Sequence, residues 1–477
     1  MRLRGTCAGT QPPRSPCARA TVQAARVLQA IQPAARGTDE SAMEPERSEP
    51  PRTADGPAPW ADGADAPGPS DAGARALLAH IDEAAPCALA LARWMHAHPE
   101  LGLAEHATSA RYREQLTALA FRIETPCDDM PTAFVARRPC PDAQRAPLCV
   151  ALLAEMDALP GIGHACGHNL SGPASLLAAE ALAAVLDPTQ LDLRVVGCPA
   201  EEIGIGKKRL VEAGVFADVD AAMMAHASDM RRAHRLFLGN RKLEVHFEGR
   251  ASHAAAYPEQ GRNALDAVVA FFVSLGLLRQ QLPPQVRVHG IISDGGQAPN
   301  IIPEYTAARV WVRSLDAQLL DESVERVLAC ARGAACASGT QLRIGEEAGG
   351  SPPMRPNLPL AHCYGRQLAA LGLAETGHAP GESIGSSDIT HISRVVPTIH
   401  PNFPICAPGE RLELHTRPFA EATASPLGEA GLLEGARALA LTVLELVRSP
   451  GLRAQVAAAV GDDGWADGHR AGASRAG

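Results

Sequence analysis

The sequence predicts an α/β protein in which a largely parallel sheet, layered with helices, is interrupted by a smaller α+β module. Three observations carry this. Apolar segments of strand length alternate with helical periodicity between residues 148 and 225, the order of a parallel sheet. The first of these segments, Leu148–Met156, is an apolar run broken only by Glu155, as expected of a strand covered on both faces. From Arg241 onward the order becomes strand-helix-strand-strand-helix-strand, that of a ferredoxin-like module.

In chain order, residues 1–72 are rich in Pro, Gly, Ala and charge and are expected to be disordered. The first 38 hold several arginines and no acid, a loose likeness to a transit peptide, and Met43 stands as an alternative start. Order begins near Ala74. Apolar residues of Ala76–Met95 fall at helical spacing, and 106–121 form a second helix. After the buried strand, Ser171–Leu186 is a helix with Ser171 as its cap and Pro173 in the first turn. Leu193–Cys198 is a strand, Lys207–Ala213 a short helix and Ala221–Ala225 a third strand.

In the inserted module Lys242–Glu248 alternates like a half-exposed strand, and Ala264–Gln281 is a long helix. Val286–Ile292 and Ala307–Val312 are strands around a turn at Gly295-Gly296, followed by helix Leu319–Ala337 and strand Gln341–Ile344. A Pro-rich hinge, Ser351–Pro359, returns the chain to the first layer, which closes with a helix at Leu427–Val447. The expected organisation is 1–72 disordered, 73–238 the first part of the catalytic layer, 239–350 the inserted module, 351–449 the second part and 450–477 a flexible tail.

Composition removes several function classes. A net charge of −9, with no basic run beside aromatic residues, argues against a nucleic-acid partner. No apolar stretch has bilayer length, which argues against a membrane role. The twelve cysteines form no regular framework and read as reduced thiols of a cytoplasmic protein.

The chemistry concentrates at strand ends. Glu155-Met-Asp157-Ala-Leu-Pro-Gly-Ile-Gly-His164-Ala-Cys166-Gly-His168-Asn169 follows a buried strand and precedes a helix, where α/β sheets collect ligands. Cys166 and His168 offer a thiolate and an imidazole, the donors a borderline-soft ion such as zinc takes, although such a pair is only half a zinc site. Pro199-Ala200-Glu201-Glu202 follows the next strand. Adjacent side chains there diverge, so one carboxylate can hold metal while its neighbour takes a proton from an activated water. Taken alone, an acidic pair more often opens a helix. His226 ends the third strand, and His415 lies in Leu414-His415-Thr416. A lone histidine in either place is more often structural than a ligand. Three successive strand ends each bearing a metal donor are harder to attribute to chance.

These residues resemble the di-zinc aminoacylase/exopeptidase family in its amidohydrolase branch. That branch shares the His-Ala-Cys-Gly-His turn, the Pro-Ala-Glu-Glu motif, a strand ending in His and a late His. The likeness spans roughly residues 75–448 and is nearest to the β-alanyl-lysine dipeptidase type. It also rests on Met224-Ala-His226, Gly249-Arg-Ala-Ser-His253, Arg287-Val-His-Gly-Ile-Ile292, Pro299-Asn-Ile-Ile-Pro303 and Ile399-His-Pro401. The resemblance implies a di-zinc exopeptidase-like catalytic domain with an inserted dimerisation or lid domain. It implies two zinc ions per subunit, with Mn or Co as possible substitutes, held by Cys166 as a bridge, His168, Glu202, His226 and His415. Glu201 would be the general base and Asp157 an orienting residue. His253 would come from the partner subunit of a homodimer to stabilise the oxyanion, and Asn300 would help bind substrate. The implied reaction is hydrolysis of an amide or peptide bond in a small molecule, such as a dipeptide with a C-terminal basic residue like β-alanyl-lysine. An aminobenzoyl-glutamate-type or N-acyl amino acid substrate is the alternative.

The sequence also departs from relatives. Thr390-His391 stands where Gly-Asn is usual, and Ser228–Arg235, after His226, is basic and lacks the usual Pro. Asp388 lies in a substrate-side loop, Gly385-Ser-Ser-Asp388, without a settled role. His400 is set aside as a ligand in favour of His415. Two other classes compete. Gly381-Glu-Ser383-Ile-Gly385 fits a serine-hydrolase elbow, but the polar, Pro-broken 374–380 before it is no buried strand. A non-catalytic scaffold that kept the fold is disfavoured by a full set of ligands and a base.

Overall fold

The computed structural model describes residues 71–139, 148–376 and 384–459. The expectations for residues 1–70, for the elbow at 381–383 and for 460–477 lie outside the described residues. No helix among the described residues is long and apolar enough to cross a membrane.

The first layer begins with α1 (Ala72–Ala97) and α2 (His106–Ala118), then an edge hairpin, β1 (Arg122–Glu124) and β2 (Phe134–Arg137). There follow β3 (Cys149–Glu155), α3 (His168–Val185), β4 (Asp192–Cys198), α4 (Gly206–Glu212), β5 (Ala221–Met223) and β6 (His226–Ser228). The inserted module holds β7 (Gly239–Glu248), β8 (Ser252–His253), α5 (Ala264–Arg279), β9 (Arg287–Asp294), β10 (Ile301–Ile302), β11 (Tyr305–Ser314), α6 (Ala317–Ser338) and β12 (Gln341–Glu346). The chain returns with α7 (Leu358–Ala370), α8 (Ile389–Ser393), β13 (Thr398–Ile399), β14 (Asn402–Pro404), α9 (Arg417–Ala422), α10 (Pro426–Arg448) and α11 (Pro450–Ala458).

Among the described residues the main sheet runs β1-β2-β4-β3-β5-β13. β4, β3, β5 and β13 are parallel, and the β1–β2 hairpin adds an antiparallel edge. All seven residues of β3 are buried, and their alternation sends them into two cores. Val150, Leu152 and Ala154 meet α1, α3 and α10, while Cys149, Ala151 and Leu153 meet Leu210 of α4 and Ile389 and Ile392 of α8. A strand buried on both sides can end in a carboxylate only where something satisfies that charge, and β3 ends in Glu155, with no exposed surface.

The inserted module is a four-stranded antiparallel sheet, β12-β7-β11-β9, packed on α5 and α6. Asn240 and Ser351 exchange backbone hydrogen bonds of 2.7 and 2.9 Å where its two connections meet. A ribbon of β8 and β10 sets His253 opposite Ile301.

Two expectations need correction. The helix expected to start at Ser171 starts at His168, and Ser171 is its fourth residue, where the hydroxyl donates to Gly167 O at 3.1 Å instead of capping. Gly167 takes the preceding position with φ of 89°, and a Cβ there would fall 2.5 Å from that of Ala227, so only glycine lets this turn meet β6. The tail expected to be flexible from residue 450 is instead helix α11 over Pro450–Ala458. Ser449 caps it by accepting from Leu452 N, and Leu452 and Val456 are buried. The Ala/Gly-rich composition hid an N-cap, a Pro at the first helical position and two apolar residues one turn apart.

Candidate metal centre

Four chain segments bring their donors to one place at the carboxyl ends of β3, β4 and β5. The turn after β3 supplies Cys166, and α3 opens with His168. The loop after β4 supplies Glu201 and Glu202, and β6 opens with His226. Two of the few described non-glycine residues with positive φ flank the site, Ala200 at 59° and His415 at 62°. Such backbone strain persists where the surroundings hold it. The Ala200 N–H donates to buried Glu105 at 2.8 Å, and the His415 N–H donates to Ala165 O at 2.9 Å.

Both buried imidazoles are oriented from behind. His168 Nδ1 lies 2.8 Å from Asp157 O and 3.2 Å from Asp157 Oδ1, and His226 Nδ1 lies 2.8 Å from Ala227 O. A donor N–H at Nδ1 leaves Nε2 as the lone-pair nitrogen, the usual arrangement of a ligating histidine. His226 Nε2 is 3.7 Å from Cys166 Sγ and 3.7 Å from Glu155 Oε2, and His168 Nε2 is 3.2 Å from that same oxygen. Cys166, His168, Glu201 and Glu202 each place a donor atom within 4.8 Å of one another, as do Cys166, His168 and His226.

Carboxylates are concentrated here. Glu155, Asp157, Glu201, Glu202 and Asp388 crowd the site, and Lys207 is an ammonium that pairs with two of them, Glu155 and Asp388. Burial, then Glu155, raises the Glu201 carboxyl well above the usual range, and burial also raises Glu202. Burial, then Glu202, raises the Cys166 thiol. Burial lowers His226 to about 4, a neutral ring suited to ligation. Glu155 Oε2, Asp157 Oδ1, His168 Nε2 and Glu202 Oε1 are buried without a hydrogen bond of good geometry, although Glu155 Oε2 and Asp157 Oδ1 each lie 3.2 Å from a His168 ring nitrogen. Such orphans are costly unless paired. Thiol, imidazole and carboxylate are the donor set of zinc-type sites, so these residues fit a metal centre.

His415 touches this cluster at its edge, with Nε2 3.5 Å from Glu202 Oε2 and the side chain 55% exposed, and it joins none of the donor groups. His400, set aside on sequence grounds, is buried with its ring 5.0 Å from that of His226, and it groups with Glu155 and His226. His253 and Asn300 are exposed on the inserted module, joined by Ala254 N donating to Asn300 O at 3.0 Å, and belong to none of the donor groups. Sequence reasoning assigned no role to Glu155, though a carboxylate ending an apolar strand was a signal. Lys207 carried none, since it reads as an ordinary helix lysine.

Comparison with known proteins identifies the family. Residues 238–335 match a family model described as a peptidase dimerisation domain. The chain is 39% identical over 408 residues to a mouse Xaa-Arg dipeptidase, covering 81% of this chain and 93% of the relative. It is 31% identical over 299 residues to one of the subunits of the p-aminobenzoyl-glutamate hydrolase from Escherichia coli, covering 58% of this chain and 61% of that relative. A Bacillus subtilis structure, described as a dinuclear metal-binding peptidase of the M20 family, shares the fold with a TM-score of 0.61 at 20% identity, over 77% of this chain and 99% of that one. These relatives make the chain a metal-dependent hydrolase acting on peptide or amide bonds. The chain belongs to the M20 peptidase family.

Proposed function

We propose that this protein is a two-metal dipeptidase, active as a homodimer, that cleaves dipeptides ending in a basic residue. The observation that carries the chemistry is the convergence of His168 Nε2 and His226 Nε2, each oriented by a carbonyl behind it, on Cys166 and Glu155. The likeness to Xaa-Arg dipeptidase supports the substrate class.

In this reading Cys166, His168, Glu202, His226 and His415 hold two zinc ions. A metal held by these residues would supply Lewis acidity for the scissile carbonyl and would lower the pKa of an attacking water. Glu201 takes the water's proton and returns it to the leaving amine, a step for which a raised carboxyl pKa is useful. Asp157 orients His168 and accepts the Glu202 N–H at 2.9 Å. The partner subunit's His253 stabilises the oxyanion, with Asn300 placing substrate. The dimer is supported by the family match and by the outer face of α5, where Val269, Val273 and Leu277 are exposed beside the edge strand β9 with exposed Ile291 and Ile292. Faces of that kind mark interfaces. The free thiols of Cys127, Cys149, Cys198 and Cys363 suit a reducing, cytoplasmic setting.

The test is a substrate panel of β-alanyl-lysine, other Xaa-Lys and Xaa-Arg dipeptides, aminobenzoyl-glutamate and N-acetyl amino acids, with chelator or with added zinc. Zinc-dependent release of lysine or arginine is the expected result. Cleavage of aminobenzoyl-glutamate alone would discard the substrate class and keep the chemistry.

A further inference from the structure

Lys207 opens α4 with no surface exposed to solvent. Its Nζ lies 2.6 Å from Glu155 Oε1 and 2.5 Å from Asp388 Oδ1, and its backbone N–H donates to Asp388 Oδ2 at 2.9 Å. Three distant segments therefore meet on one cation: the end of β3, the start of α4 and the residue before α8. Burying three charges is a poor way to stabilise a fold, since apolar groups of the same shape commonly do as well or better. Stability alone does not account for the arrangement.

Its geometry points into the metal centre. Lys207 holds one oxygen of Glu155. The other, Oε2, has no hydrogen bond of good geometry and faces His168 Nε2 at 3.2 Å and His226 Nε2 at 3.7 Å. Carboxylate oxygens of Glu155, Glu201 and Asp388 lie within 4.8 Å of one another, a crowding of like charge that the ammonium offsets.

Resting on the two-metal reading, we propose that Lys207, clamped by Asp388, is a positioning residue of the centre. It fixes Glu155 so that Oε2 is a further oxygen donor beside His168 and His226, and it keeps Glu201 at the rim of the site against repulsion from Glu155.

The experiment compares wild type with Lys207→Met, Lys207→Arg, Asp388→Asn and the neutral triple variant Glu155→Gln/Lys207→Met/Asp388→Asn. Thermal denaturation reports folding. Zinc affinity of metal-stripped protein is read by competition with a chromophoric chelator, and kcat and KM are measured on the best panel substrate. The triple variant is expected to fold with a melting temperature near wild type. Its zinc affinity and kcat are expected to fall at least about tenfold, the lower bound for losing an outer partner of a ligand, because Glu155 itself is changed, with KM changed less. Lys207→Arg is expected to recover part of the loss seen in Lys207→Met. Wild-type affinity and kcat in the triple variant overturn the proposal, as does a loss confined to melting temperature. Should the triple variant fail to fold, Asp388→Asn decides: reduced zinc affinity supports the proposal and unchanged affinity overturns it. Wild-type protein that binds no zinc overturns the two-metal reading and this proposal together, whereas equal zinc binding by wild type and variants overturns this proposal alone.

Discussion

Cys166 Sγ lies 3.7 Å from His226 Nε2, across 60 residues of sequence. A buried thiol raised by burial and by Glu202 becomes a good donor only once it gives up its proton to a soft cation. Zinc uptake is therefore expected to release a proton, and apparent affinity is expected to rise with pH. Cys166→Ser is expected to bind zinc at least about tenfold more weakly, by comparison with the loss of a ligand's outer partner, and to release fewer protons. Calorimetric titration in buffers of different protonation heat reads both quantities. Equal affinity and equal proton release in the two proteins would remove Cys166 from the centre.

Glu201 and Glu202 are neighbours with different surroundings. Glu202 groups with Cys166 and His168 and faces His415, whereas Glu201 also approaches Glu155 and Asp388. Glu201→Gln is expected to keep its zinc and to lower kcat by about 10²–10⁴, the usual share of a general base. Glu202→Gln is expected to lose zinc affinity itself. Metal content and turnover on the same preparations separate the two, and a Glu201→Gln enzyme with near-normal kcat would mean the base lies elsewhere.

The two-layer fold was legible in the sequence because Leu148–Met156, Leu193–Cys198 and the segments after Arg241 bury apolar faces at clear periods. Cys166, His168, Glu201, Glu202 and His226 were legible because strand ends are where such donors gather. The start of α3 was misread because Ser171 is a plausible cap, whereas the turn is ended by the left-handed Gly167. Asp388, His400 and Lys207 were not legible as partners of Glu155. Their meeting depends on how β13, α8 and α4 pack around β3, and no local pattern encodes that.

His253 stands exposed on the β8–β10 ribbon, opposite Ile301 and beside Asn300. If it serves the other subunit, His253→Ala and Glu201→Gln homodimers should both be nearly inactive. Mixed dimers carry one site with both residues intact, so refolding the two together is expected to restore up to about a quarter of wild-type activity per subunit, one intact site in two among the half of dimers that are mixed. Mixed dimers, verified by differential tags, with no recovered activity would argue that each subunit uses its own His253.

Away from the centre, Arg194 is 2% exposed and is held by Asp218 through two hydrogen bonds of 2.6 Å and by Asp192 at 2.8 Å. The hydrogen bonds from Arg194 hold the Asp218 carboxyl down at about 2, against an ordinary value of 3.8. A depressed carboxylate contributes stability that is present above its unfolded pKa and is lost as pH falls through the folded one. Asp218→Asn is expected to cost about 1 kcal/mol at neutral pH, a modest figure because the side chain is 46% exposed and water screens the pair. The gap to wild type should narrow between about pH 4 and pH 2. Urea denaturation across that range reads it, and a gap independent of pH would assign the cost to packing.

The last helix is expected to be part of the fold. In α11, Leu452 and Val456 are 7% and 3% exposed and pack into the same core as α7 and α10. Burial of each such side chain is worth about 1.5–3 kcal/mol. Val456 O also accepts from Asn357 Nδ2 at 2.9 Å, and Asn357 in turn caps α7 through Leu360 N. A chain ending at Ser449 would expose the apolar surface beneath α11 and leave the Asn357 amide without its partner, a further cost of about 1–3 kcal/mol. Truncation there is expected to destabilise the protein by about 3–5 kcal/mol and Leu452→Ala by about 2–3 kcal/mol. A chain ending at Ala459 keeps α11 and is the reference for the shorter one. If ending the chain at 449 and at 459 gave the same midpoint, α11 would not be docked on α7 in solution.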